Sequence, residues 1–167
     1  MSKFEIRSAS RRTKSEKDVH DETFLPAAMT LEDTRRFAED MAARTERGAR
    51  IFALTGELGA GKTTFSQFFL RALGVTGPLT SPTFVIMKTY PLSGHGHSSV
   101  SHIDCYRLAG TDELRALGFE ARAADPSVIL LVEWADRAKE AIPPDAVWID
   151  FSHGARDGER MITERSK

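Results

Sequence analysis

Residues 56–63 read Gly-Glu-Leu-Gly-Ala-Gly-Lys-Thr, which is the spacing GxxxxGK[ST] of a phosphate-binding loop. A triphosphate needs several N–H donors converging on its oxygens, and a tight glycine loop supplies them. Gly56, Gly59 and Gly61 allow the backbone angles and close approach that this requires. A helix starting just after the loop favours anions at its N-terminus. Lys62 places a point charge at the β/γ-phosphates, and Thr63 offers a hydroxyl to Mg²⁺. Four fixed positions match by chance somewhere in such a chain with a probability of about 1%. The candidates to bind nucleotide are therefore Leu58, Gly59, Ala60, Gly61, Lys62, Thr63 and Thr64.

Such a loop also needs a carboxylate for Mg²⁺ at the end of a neighbouring strand. Glu133 ends the run Val128–Val132, and Asp104 ends a weaker one. Both are expected at the site, one directly and the other directly or through water, and either one can orient the attacking water. Ser81-Pro82-Thr83-Phe84 reads as an ordinary Ser/Pro turn in which Thr83 has the chemistry of a switch residue. Trp134 at a strand end reads as core. Arg107 either offsets phosphate charge or pairs with Asp104. His95 and His97 read as solvated, and Cys105 as packing.

The elements around these residues alternate. Thr30 with Asp33 forms a variant capping box, before a helix that places Leu31, Phe37, Ala38, Met41 and Ala42 on one face and stops at Gly48. Ile51–Leu54 is an apolar run suited to a strand covered on both faces. Thr63–Leu73 reads as helix, with Phe65, Phe68, Phe69 and Ala72 inward and Gly74 as its stop. Phe84–Tyr90 and Val100–Leu108 read as strands. Asp112–Leu117 reads as a short helix capped by Thr111. Val128–Val132, the most hydrophobic run, is expected as the central strand. Val147–Ser152 and Arg160–Glu164 flank Asp157-Gly158 as a terminal hairpin. The fold class that follows is α/β, a mixed sheet with an antiparallel portion.

The chain has 167 residues, 41% of them hydrophobic, and a net charge of −1. That suits one globular domain and excludes a globally basic nucleic-acid binder. No apolar run reaches membrane-spanning length, and the single cysteine allows no disulfide framework. Together these point to a cytoplasmic protein. Residues 1–23 are expected to be a basic, disordered arm: Lys3, Arg7, Arg11, Arg12, Lys14 and Lys17 outnumber Glu5, Glu16 and Asp18 within the first eighteen positions. Residues 24–167 form the expected domain.

The loop at 56–64, Ser-Pro-Thr-Phe at 81–84, His-Ile-Asp-Cys-Tyr-Arg-Leu at 102–108 and Val-Glu-Trp at 132–134 occur in an order that resembles the bacterial TsaE (YjeE) family. This family comprises P-loop ATPases of tRNA threonylcarbamoyladenosine biosynthesis. The resemblance covers roughly residues 24–165. It implies a P-loop three-layer sandwich that binds ATP and Mg²⁺, hydrolyses ATP slowly alone, and acts with TsaD and TsaB. Contact with tRNA would be indirect, and neither DNA nor membrane is implied. TsaD would carry the transfer chemistry. The resemblance also implies roles for Lys62 (phosphate), Thr63 and Glu133 (metal), Asp104 (the Walker-B-like aspartate), Thr83 (switch) and Trp134 (a functional tryptophan). Leu31 would lie near the adenine and Asp136 near the nucleotide. Two rival readings are a P-loop small-molecule or nucleotide kinase and a nucleotide-gated adaptor that never turns over. The first would need an arginine-bearing lid, for which Arg115 and Arg122 supply no clear pattern.

Overall fold

The computed structural model describes residues 28–94, 96–156 and 158–165. The expected arm, residues 1–23, lies outside the described residues, as do His95 and Asp157. The elements in chain order are β1 (Ala28–Met29), α1 (Leu31–Ala43), β2 (Ile51–Gly56), α2 (Lys62–Ala72), β3 (Met87–Pro91), β4 (Ser99–Asp104), α3 (Thr111–Ala116), α4 (Phe119–Ala124), β5 (Val128–Glu133), β6 (Val147–His153) and β7 (Arg160–Glu164), with 3₁₀ turns at Arg44–Arg47 and Ala135–Ala141.

The strands form one sheet in the order β1-β7-β6-β2-β5-β4-β3. Strands β6, β2, β5 and β4 run parallel, while β3, β7 and β1 add antiparallel edges. This is the mixed sheet with a C-terminal hairpin read from the sequence. The strand before the phosphate loop, β2, holds the middle position, and β5 lies beside it. The most apolar run is thus interior but not central, because hydrophobicity reports coverage on both faces and not strand order.

Alternation along the strands builds two cores. Phe52 and Leu54 of β2, Ile129 and Leu131 of β5, and Ile149 and Phe151 of β6 face α1 and α2, meeting Ala38, Met41, Phe65 and Phe69. Ile51, Ala53, Leu130 and Val132 face the opposite layer, with Leu114, Phe119, Ala135 and Ala138. The result is helix, sheet and helix in three layers. In the first core Phe37, Phe65, Phe69, Phe52 and Phe151 form a chain of ring contacts with centroids 4.8–6.0 Å apart. Each such pair contributes about 0.5–1.5 kcal/mol beyond the area it buries, and together they pin α2 to the sheet.

The capping box at Thr30 is present: Asp33 N–H donates to Thr30 Oγ1 at 3.2 Å, and Thr30 N–H donates to Asp33 Oδ2 at 3.0 Å. Several local expectations are corrected. Leu31 is 63% exposed and Ala72 is exposed, so neither joins its helix's inward face. The third strand starts at Met87, not Phe84, because residues 83–85 form a turn and Ile86 has φ 65°. The fourth strand ends at Asp104, where the chain turns. Gly110, not Thr111, caps α3, and the Thr111 hydroxyl donates to Glu140. His97 is half-buried, with its ring nitrogens 3.2 and 3.1 Å from the carbonyls of Pro126 and Thr45.

Candidate nucleotide site

Strand β2 delivers the chain into the phosphate loop, and α2 takes it out. Gly56 closes the strand with φ 124°, and a Cβ there would stand 1.8 Å from the Phe151 carbonyl oxygen on β6. The turn into the loop is therefore possible only without a side chain. Gly61 caps α2 at φ 105°, so the loop amides and the helix N-terminus point the same way. Ala60 is buried in the core and anchors the loop from beneath. Leu58, Gly59, Gly61, Lys62, Thr63, Thr64 and Trp134 line a cleft of about 160 Å³. A second cleft of about 120 Å³ adjoins it, lined by Leu31, Thr34, Gly59, Gly61, Thr64, Gly158 and Arg160. Leu31 is exposed because it faces this cleft.

Lys62 is 4% exposed, and its Nζ donates to the carbonyls of Gly56 and Glu57, both at 2.7 Å. The same Nζ lies 3.7 Å from the centroid of a Trp134 ring. Burial pulls the Lys62 ammonium below its usual range, against the carboxylates of Glu133, Asp136, Asp104 and Glu57. Trp134 has φ 57°, a left-handed conformation that is strained for a tryptophan and characteristic of functional positions. It also packs on Tyr106 at 4.9 Å. Its ring lines the cleft and, half-buried, also packs against the second core.

The two carboxylates end adjacent parallel strands and are register partners, Asp104 opposite Glu133. Their surroundings differ. Glu133 is 1% exposed; its Oε2 accepts from the Thr63 hydroxyl at 2.8 Å and its Oε1 pairs with His102 Nε2 at 2.7 Å. Asp104 is held by the switch-like turn: its Oδ2 accepts from the hydroxyls of Ser81 and Thr83, and its Oδ1 from the Tyr106 N–H at 2.9 Å. Glu133 thus touches the loop's hydroxyl, whereas Asp104 touches Thr83. Asp136 lies on the exposed turn after Trp134 and lines neither cleft, although its charge acts on Lys62.

Thr34 and Arg160 neighbour the site from outside every motif, and Ser81 and His102, though inside the quoted segments, were assigned no role there. For His102 a signal existed: it precedes Asp104 by two, so strand alternation puts both on one face. Arg107 lies 4.3 Å over the Phe84 ring, and among the described residues no ion pair joins it to Asp104. Cys105 is buried, which pushes its thiol up to about 12 and leaves it inert. Arg115 pairs with Asp112 and Glu120, and Arg122 reaches Ser101; neither lines the clefts.

Comparison with known proteins places this geometry in a family. The family model described as threonylcarbamoyl adenosine biosynthesis protein TsaE matches residues 28–162. Proteins named tRNA threonylcarbamoyladenosine biosynthesis protein TsaE are similar to the chain. The one from Bacillus subtilis is 39% identical over 132 residues, covering 79% of this chain and 78% of the relative. The Streptomyces coelicolor protein is 37% identical over 116 residues, 69% of this chain and 76% of the relative. That from Treponema pallidum is 33% identical, covering 80% and 94%. The crystal structure of Bacillus subtilis YdiB superposes with a TM-score of 0.59 at 32% identity, over 81% of this chain and 80% of that one. A match that begins in β1 and ends in β7 spans the whole sheet carrying the loop and both carboxylates, and the chain belongs to the TsaE family.

Proposed function

We propose that the chain binds ATP with Mg²⁺ and hydrolyses it as a component of the tRNA threonylcarbamoyladenosine machinery, acting with TsaD and TsaB. The observation that carries this reading is the contact between Thr63, in the first turn after a glycine-built loop, and Glu133 at the end of the adjacent parallel strand. A hydroxyl and a carboxylate facing a phosphate loop are the hard oxygen donors that suit Mg²⁺. Among the described residues no three His, Cys, Asp or Glu side chains gather into a metal cluster. That agrees with a cation that takes one or two carboxylates and finds its remaining ligands in phosphate and water. Thr63 and Glu133 would hold the metal, with Asp104 beside them; the bound ion supplies neutralisation of charge on the phosphates.

The residues of the chain do the rest. The loop amides and Lys62 bind the phosphates, and Lys62 must leave the carbonyls of Gly56 and Glu57 to do so. Asp104, bonded to Thr83, would orient the water that attacks the γ-phosphate. Trp134 walls the cleft, and Leu31 and Thr34 line the second cleft, where the base would lie. Among the described residues no arginine lines the first cleft, and Arg160 lines the second, against Gly61. We read turnover as slow alone and rising when a partner completes the site with a charge on the phosphates, since such a group contributes about 10³–10⁵-fold.

We read residues 24–167 as one domain in the cytoplasm, with a basic arm ahead of it, and tRNA contact as indirect. Among the described residues no helix is long and apolar enough to cross a membrane. The test is single-turnover hydrolysis of labelled ATP with and without TsaD and TsaB. Formation of ADP and phosphate without a phosphorylated acceptor supports the reading. A phosphorylated acceptor would favour a kinase. ATP bound but never cleaved with both partners present would favour a non-catalytic adaptor.

A further inference from the structure

We propose that His102 is a positioning residue that holds the Glu133 carboxylate in the orientation needed to meet the metal. His102 lies on β4, an interior strand paired with β3 on one side and β5 on the other. Alternation puts Val100, His102 and Asp104 on one face, and Val100 belongs to the core under α1 and α2. His102 itself is 0% exposed. Its Nε2 meets Glu133 Oε1 at 2.7 Å, and among the described residues its Nδ1 has no hydrogen-bond partner.

A fully buried imidazole with one unpartnered nitrogen is a poor way to fill a core. An apolar side chain of similar size would fill the same space without an unsatisfied atom. What an imidazole supplies and an apolar group cannot is a donor fixed in direction. The carboxylate accepts, so the proton sits on Nε2. Glu133 is thereby clamped at both oxygens, Oε1 by His102 and Oε2 by the Thr63 hydroxyl. With the ring gone, Oε1 would be a buried acceptor without a partner, and the carboxylate would rotate to satisfy it. Oε2 would then lose its aim at Thr63. Hydrogen-bond partners behind a ligating carboxylate typically change metal affinity by about 10–100-fold.

This inference rests on the reading that Thr63 and Glu133 hold the metal. Its test is Mn²⁺ binding in the presence of ATP, followed by electron paramagnetic resonance, for the unaltered protein, His102→Leu and His102→Gln. Calorimetry of ATP in excess chelator and denaturant unfolding accompany it. Glutamine carries its amide near the position of Nε2, so it keeps a donor for Glu133. H102L is expected to weaken Mn²⁺ binding by about 10–100-fold and leave metal-free ATP binding unchanged, while still unfolding in one cooperative transition, at lower denaturant than the unaltered protein because Oε1 loses its partner. H102Q is expected to restore Mn²⁺ binding to near the unaltered value. Unchanged Mn²⁺ binding in H102L overturns the proposal, as does equal weakening in folded H102L and H102Q. Should H102L fail to fold, His102→Asn replaces it, because its shorter amide reaches only the Nδ1 position. H102Q must then bind Mn²⁺ better than H102N, and equality overturns the proposal. If the unaltered protein binds ATP but no Mn²⁺, the metal reading of Thr63 and Glu133 falls, and that result is distinct from failure of the His102 variants alone.

Discussion

Replacing the two carboxylates one at a time separates the roles that their surroundings give them. In Glu133→Gln the shape is kept and the charge facing Thr63 is lost. A hydrogen bond or ligand contact to a charged group contributes about 1.5–3 kcal/mol. At about 1.4 kcal/mol per factor of ten, the loss is about 10–100-fold in affinity for Mg²⁺·ATP. Binding of ATP without metal rests on the loop amides and Lys62, and it should not weaken, because the charge removed repels the phosphates. In Asp104→Asn the altered group touches Ser81, Thr83 and the Tyr106 amide, not Thr63. Its oxygen can still accept from Tyr106, and its new amide can still donate to either hydroxyl. Mg²⁺·ATP affinity should therefore stay near the unaltered value, while the single-turnover rate falls by about 100-fold or more, the low end of what a group orienting a reacting proton contributes. Titration calorimetry with and without Mg²⁺, together with quenched-flow cleavage of labelled ATP, measures both quantities. The reverse pattern, with E133Q binding Mg²⁺·ATP normally and D104N losing it, would refute the assignment of the metal-side contact to Glu133.

Further outcomes follow from other contacts. Gly56→Ala, whose Cβ would lie 1.8 Å from the Phe151 carbonyl oxygen, should cost more than about 4 kcal/mol. Gly118→Ala has a left-handed φ of 76° but open space around it and should cost only about 1–2 kcal/mol; urea unfolding compares them. With Trp148→Phe, Trp134 becomes the sole tryptophan. Its emission should change on adding Mg²⁺·ATP as Lys62 leaves its ring, and Lys62→Ala should abolish both the change and the binding seen by calorimetry. The hydrogen bond from Arg165 holds the Asp150 carboxyl below its usual range, with Thr55 adding to it. A lowered folded value means that the stabilisation is complete above the ordinary carboxylate range and is lost as pH falls through the lowered value. Asp150→Asn should remove that acid-side slope from a plot of unfolding free energy against pH, at a cost of no more than about 1 kcal/mol near neutrality for this half-exposed pair.

The phosphate loop was legible in the residues because its demands are local. Glycines are needed wherever backbone must approach an anion or take a left-handed turn, and Lys62 and Thr63 follow at fixed offsets. The helix after it, the apolar strands and the Thr30 capping box were equally readable, since each rests on contacts within one or two turns of chain. What sits at the ends of those elements was less so. Phe84 and Val85 look like strand residues, yet the turn they occupy is set by Asp104 accepting from Ser81 and Thr83 more than twenty residues away. Leu31 fits an inward helical stripe but opens onto the cleft beside Arg160. The division of labour between Glu133 and Asp104 could not be read at all from their positions at two strand ends. It depends on which neighbour each meets, and that is decided only when β4 and β5 pair in register beneath α2. The burial of His102 against Glu133 has the same origin. Local pattern dictates which groups can bind phosphate; long-range pairing dictates which oxygen points at which hydroxyl, because that direction is fixed by the sheet and not by the spacing along the chain.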